Sequence, residues 1–316
     1  MENYLQFNPQ TNEALIFNYD GEILSKGRFI SEEEIERAQK QRECYKKKLA
    51  SEISLEYGKL NRHVGCFQRR ITNIVPNLSL SECGFLITIL AKMKLGGDGF
   101  LINNNKRMTV DDISEYVDLS RQQASKHLNK FTELGILEKI KDGRKRHYRV
   151  NPQFHIMGEH DNNTNGTWFI RLYKTKLYEM IENLTLPELG FIYKALPICH
   201  YSTFELVHNP NAHYNPTAEE GSEEASFNVD LELFNRSELG QYMDEDVDNI
   251  TKIANSLSKK GLLMTNTAHG RTCYTLHPHI VHPKGLKISD YIQGICNKFE
   301  THRKDALRRK GKGRKA

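Results

Sequence analysis

Leu78-Ser79-Leu80-Ser81-Glu82-Cys83-Gly84-Phe85-Leu86 is answered later in the chain by Leu184-Thr185-Leu186-Pro187-Glu188-Leu189-Gly190-Phe191-Ile192. The correspondence continues in the same order. Ile113-Ser114-Glu115-Tyr116-Val117 matches Leu239-Gly240-Gln241-Tyr242-Met243, and Leu134-Gly135-Ile136-Leu137 matches Lys260-Gly261-Leu262-Leu263. Each copy closes on a Tyr-containing strand and a proline, at Tyr148/Pro152 and Tyr274/Pro278. Ordered matches of this kind point to a duplicated supersecondary unit.

Outward from that stretch, the first copy reads as residues 69–158. Ser79-Leu80-Ser81-Glu82 caps a helix running to about Lys94, and Gly96-Gly97-Asp98-Gly99 breaks it. Phe100-Leu101-Ile102 is a short strand. Thr109 opens a second helix with Ile113, Tyr116 and Val117 inward. Asp118-Leu119-Ser120 is a turn, and Ser120 caps a third helix whose Ala124, Leu128 and Phe131 recur at helical spacing. Gly135 stops it. Leu137–Ile140 and His147–Val150 form a hairpin around Asp142-Gly143.

With Ala124, Leu128 and Phe131 inward, the third helix displays Arg121, Gln122, Ser125, Lys126 and Asn129. Arg pairs with guanine, and Gln or Asn with adenine, in the major groove. Ser and Lys suit phosphates. Ser120, Gln123 and Lys130 complete the expected contact set on this helix. The hairpin adds Lys141, Arg144, Lys145 and Arg146, a basic loop suited to flanking phosphate or a minor groove. The bland alternative is a packing domain with a solvated face. Helix, turn, Gly135 and basic hairpin together favour the DNA reading.

Through Leu119–Leu128, Glu133-Leu134-Gly135-Ile136-Leu137 and Tyr148-Arg149-Val150-Asn151-Pro152, the chain resembles winged-helix regulators of the MarR type and RepL-like proteins of Gram-positive phages and plasmids. The resemblance covers about residues 79–158 well and 184–285 weakly. It implies sequence-specific duplex binding without naming a target. The chain departs from one-domain regulators by fusing two units and extending both ends.

The second copy, 167–285, differs at its equivalent helix. Asp244, Glu245, Asp246 and Asp248 cluster at the end expected to meet bases, where carboxylates repel phosphate. Its hairpin, Asn266–Arg271, holds Arg271 as a firm cation. This unit therefore reads as a packing unit, joining a partner protein or a second copy. The rival view has both units on DNA, with Lys252 and Arg271 contributing. A stretch at 205–228, with Glu219, Glu220, Glu223 and Glu224, reads as an acidic loop inserted between helices.

The remaining segments are less specific. Residues 1–68 read as a hairpin about Asp20-Gly21 followed by a basic helix over 31–57, either lying on DNA or solvated. Asp161–Gly166, within 159–166, is a polar linker. Residues 286–316 read as a helix with a basic tail, the tail being either a DNA-backbone clamp or a disordered solubility tail. The 316-residue chain has a net charge of +5, with positive blocks at Arg37–Lys48, Lys139–Arg149 and Arg303–Lys315 and a negative block at Glu219–Asp248. Opposed blocks suggest one surface for a polyanion and another turned away. Six cysteines lie too far apart for a CxxC pair, and His277, His279 and His282 sit where a strand exits. No nucleotide-binding loop, serine-hydrolase elbow or zinc-protease motif occurs. No apolar signal core or spanning run occurs either. The expectation is thus an α+β protein of two tandem winged-helix units, cytoplasmic, non-enzymatic and without metal or cofactor. It would bind double-stranded DNA as a transcriptional regulator, with replication initiation at origin repeats as the alternative.

Overall fold

The computed structural model of the chain describes residues 4–8, 13–18, 20, 22–28, 34–44, 63–96, 98–157, 169–200, 202–212, 231–268, 271–283 and 290–312. Their architecture is mixed α+β, with antiparallel strand pairs. The chain divides into two compact units, Met1–Lys59 and Leu60–Ala316.

In the first unit, β1 (Tyr4–Asn8), β2 (Glu13–Phe17) and β3 (Ile23–Arg28) form a three-stranded sheet in that order. Asn18 closes the β2–β3 turn, its Oδ1 accepting the Glu22 N–H at 2.8 Å. Helix α1 spans 34–44, and its side chains from Ile35 to Cys44 are exposed. Residues 45–62, where the longer helix was expected to continue, lie outside the described residues.

In the second unit the repeat is structural. The first copy runs β4 (His63–Phe67), α2 (Gln68–Ile74), α3 (Leu80–Leu90), β5 (Ile102–Asn103), β6 (Lys106–Arg107), α4 (Val110–Val117), α5 (Arg121–Glu133), β7 (Leu137–Asp142), β8 (Lys145–Val150) and β9 (His155–Met157). The second runs β10 (Phe169–Tyr173), α6 (Lys174–Asn183), α7 (Leu186–Ala195), α8 (Arg236–Met243), α9 (Val247–Lys259), β11 (Leu263–Ala268), β12 (Arg271–Leu276) and β13 (Val281–Pro283), followed by α10 (Asp290–Lys312). Strand β4 precedes residue 69 and still belongs with the first copy, because β10 is its counterpart.

Those two strands lie side by side at the centre of a sheet ordered β13-β10-β4-β9. Gly65 and Arg171, each the third residue of its strand, face one another. Ile156 of β9 pairs with Gly65, and His282 of β13 pairs with Arg171. The helices cross about the same centre. The fifth residue of α3, Gly84, abuts the first of α7, Leu186, and Gly190 abuts Leu80 in return. A methyl on Gly84 would stand 1.9 Å from the Leu186 carbonyl oxygen, and one on Gly190 1.8 Å from that of Leu80. Glycine is required here for close backbone approach. A local two-fold axis therefore relates the copies, and one hydrophobic core runs through both, including Phe85, Phe131, Tyr148, Phe191, Leu257 and Tyr274.

The expected loop at 205–228 is corrected at its start. Phe204, Leu206 and Val207 are buried. The Leu206 N–H donates to the Tyr274 carbonyl at 2.9 Å, as Leu101 does to Tyr148 at 3.1 Å. Residues 205–207 thus make isolated β-bridges, Glu205 with Thr275, Leu206 with Cys199 and Val207 with Leu233. Glu219, Glu220, Glu223 and Glu224 lie outside the described residues, as does the linker 159–166. The histidine run is built into the fold: the His277 N–H donates to the Leu262 carbonyl at 3.1 Å, and its ring packs on Phe299 at 4.6 Å.

Candidate nucleic-acid interface

Helix α4 starts at Thr109 and ends at Asp118, which adopts a left-handed conformation at φ 56°. Asp is among the few residues that visit that region at modest cost. The turn leads directly to Ser120, the N-cap of α5. Ser120 Oγ accepts the Gln123 N–H at 3.2 Å and donates to Gln123 Oε1 at 2.9 Å. These two residues fix the helix start and are engaged with each other.

Arg121, Gln122, Lys126 and Asn129 are exposed along one side of α5, while Ser125 is half-buried. Arg121 Nε meets Asp111 Oδ1 at 2.9 Å, an exposed ion pair that leaves other guanidinium N–H groups outward. Asn129 Oδ1 accepts from Lys139 Nζ at 3.1 Å. Lys130 turns elsewhere. Its ammonium is half-buried and donates to Glu82 Oε2 at 2.6 Å, joining α5 to α3. Lys130, expected among the outward contacts, therefore holds the helix in place.

Glu82 also accepts the Ser79 N–H at 2.9 Å. Burial works to raise its carboxyl pKa, and the hydrogen bonds from Lys130 and Ser79 outweigh it, leaving the group below its ordinary value. His127 lies between the Phe85 ring, 5.1 Å away, and Glu82, 3.8 Å away. Burial is the main cause of its lowered pKa.

Beside α5, the β7–β8 hairpin exposes every residue from Lys141 to Arg146. Asp142 pairs with Lys145 across a two-residue turn, with Gly143 at φ 59° in its first position. Lys141, Arg144, Lys145 and Arg146 thus share one projecting tip. Two further cations, not singled out from the sequence, stand next to it. Arg107 on β6 reaches Asp142 at 3.6 Å and lies 4.0 Å over the Phe100 ring. Lys106 is exposed at the start of β6. Asn104 and Asn105, at φ 48° and 63°, make the tight turn before them. An Asn-Asn pair between two short extended runs was the available signal.

The second copy has a different surface. Asp246 caps α9 through the Asn249 N–H at 2.7 Å, and Glu245 accepts from the Asn249 amide at 2.6 Å. Val247 stands where α5 has Arg121, and Asp248 where it has Gln122. Glu188, the counterpart of Glu82, binds Lys260 Nζ at 2.8 Å and also accepts from Ser256. The framework is kept while the outward cations are absent from this helix start. Among the described residues, no three His, Cys, Asp or Glu side chains are grouped to hold a metal, and no helix is long and apolar enough to cross a membrane.

Comparison of the chain with protein-family models, with curated proteins and with solved structures returns no match.

Proposed function

We propose that this chain is a sequence-specific duplex DNA-binding protein whose two copies are winged helices, and that the first copy reads the DNA. Helix α5 enters the major groove, where Arg121, Gln122 and Asn129 meet base edges and Lys126 meets phosphate. The β7–β8 wing grips the flanking backbone. The second copy, with an acidic helix start, packs against the first copy and leaves the bases alone. The observation that supports the reading is the exposed row Arg121, Gln122, Lys126 and Asn129, placed after a short helix-turn-helix turn and beside an exposed basic hairpin tip. The biological role we infer is transcriptional control in a phage or another mobile element.

The test begins with selection of a tight-binding duplex from a random pool. Gln122→Ala or Arg121→Ala should cost about 1–3 kcal/mol on that duplex and relax preference at one position. Affinity for random duplex should change much less. A folded variant that binds the selected duplex as tightly as its parent sinks the assignment of α5 as reader. Mapping of bound sites in the native host tests the role. Promoter sites support a regulator, and repeated sites at an origin would replace it with a replication initiator.

A further inference from the structure

Helix α10 begins as a packed element and ends as a charged rod. Ile292, Ile295, Cys296 and Phe299 are buried in the core. His302 Nε2 lies 3.0 Å from the Thr265 carbonyl, and the stem of Arg303 covers Gly261 at the end of α9. Beyond this anchor, residues 303–312 extend the helix by about 15 Å.

The second copy alone is built to receive α10. Its hairpin presents Met264 and Thr275 to the groove that Ile295 helps to line. At the same two positions the first copy has Glu138 and Arg149, ion-paired to each other across β7 and β8. A helix laid there would bury that charged pair, an unfavourable exchange.

Asn297 and Thr301 border the groove that Met264, Thr275 and Ile295 line, the Thr301 hydroxyl donating to the Asn297 carbonyl at 3.2 Å, and Lys304 and Arg308 are exposed further along the helix. Lys304 and Arg308, four residues apart, share one side of the helix and suit phosphate oxygens. Asp305 Oδ1 stands 3.9 Å from Arg308 Nη1 and Glu300 Oε1 3.9 Å from Arg303 Nη1, exposed pairs that a phosphate can displace, and the sequence continues with Arg309, Lys310 and Lys312. Helix α9 carries Lys252 and Lys259, with an acidic start at Asp246 and Asp248. The denser run of cations on the second copy is that of α10.

We propose that α10 is a sequence-independent DNA-backbone contact, through which the second copy holds duplex next to the site read by α5. Lys304 and Arg308 pair with phosphates of one strand. The proposal rests on the duplex-DNA reading of α5. It assigns the second copy a part in affinity and none in sequence preference.

The test uses the full chain and its Lys304→Gln/Arg308→Gln variant, with random-sequence duplex titrated over salt. The variant should bind more weakly, and the dependence of log affinity on log salt should flatten by roughly two units. The ratio of affinities for a selected and a random duplex should stay as in the parent. An unchanged slope, with the parent binding normally, overturns the role of α10 alone. A changed ratio also overturns it, because α10 would then be reading sequence. Loss of binding to anionic phospholipid vesicles, with duplex binding intact, overturns it in favour of a membrane surface. A parent without affinity for any duplex sinks the α5 reading and this inference together.

Discussion

Glu82 occupies the third position of α3 and there joins Ser79, Lys130 and His127. Its folded pKa lies below its unfolded value. The stability it contributes is therefore full above the unfolded carboxylate range and is lost as pH falls through the folded value. Thermal unfolding of Glu82→Gln should show a lower Tm than the parent at neutral pH, and the gap should narrow below about pH 4.3. A constant gap at all pH values would count against this network. Lys130→Met should lower Tm in the same way while leaving base preference intact, the reverse of Gln122→Ala. His155 adds a second acid sensitivity. It is fully buried beside the Tyr193 hydroxyl, 3.0 Å away, and burial pushes its pKa down to about 3, as it does for His277. Between the unfolded value near 6.5 and that depressed value, the unfolded chain binds the proton and the folded chain does not. Stability should fall with decreasing pH by about 1.4 kcal/mol per pH unit for each histidine. Urea denaturation of His155→Gln between pH 7 and 5 should show a shallower decline, and a slope equal to the parent's would refute the assignment. The outward residues of α5 were legible in the sequence because helical periodicity places them once Ala124, Leu128 and Phe131 are inward. Lys130 was not, because its partner Glu82 lies 48 residues away.

Among the elements, α4, α5 and the β7–β8 hairpin were readable because caps, turns and apolar spacing are local signals. The strands of the central sheet were not. Strand β4 is defined by β10 and β9, and nothing within His63–Phe67 announces those partners. The bridged segment at 205–207 was hidden for a related reason. Phe204 takes a left-handed backbone at φ 63°, where the first copy has Gly99 at φ 64°. An aromatic residue in that conformation is uncommon, so the sequence match fails at the residue where the structural match is close. The basic hairpins give the prediction at this scale. Replacing Arg144, Lys145 and Arg146 with Gln should weaken selected and random duplex alike. It should flatten the salt dependence by roughly one unit for each phosphate no longer neutralised. Adding Lys106→Gln should flatten it further, because β6 is tied to the wing through Arg107 and Asp142. If Lys106→Gln adds nothing in the same titration, the β5–β6 hairpin stands off the duplex.

Across the whole second unit, the two-fold axis decides how the copies depend on each other. The sequence showed two copies with a linker between them, which suggests separable domains at 69–158 and 167–285. What it did not show is the axis, which exists only through the β4–β10 pairing and the α3–α7 crossing. Cutting between the copies would strip β4 of β10 and expose the crossing faces of α3 and α7, opening the core that both share. The copies are therefore expected to unfold as one cooperative body. Gly84 and Gly190 give the means to test this, because each backs onto a carbonyl of the other copy. A methyl at either position forces the crossing helices apart, and overpacking of this kind typically costs about 1–3 kcal/mol, occasionally more. Because the axis makes the positions equivalent, Gly84→Ala and Gly190→Ala should lower the urea midpoint by similar amounts. Native-state hydrogen exchange then separates local from shared damage. The Leu101 and Leu206 amides are buried counterparts in the two copies, each donating to the carbonyl of a strand tyrosine. Gly84→Ala should speed exchange at both amides by the same factor, since either opens only when the common core opens. Faster exchange at Leu101 alone would mean that the copies are independent folding units, with the crossing no more than a contact between them.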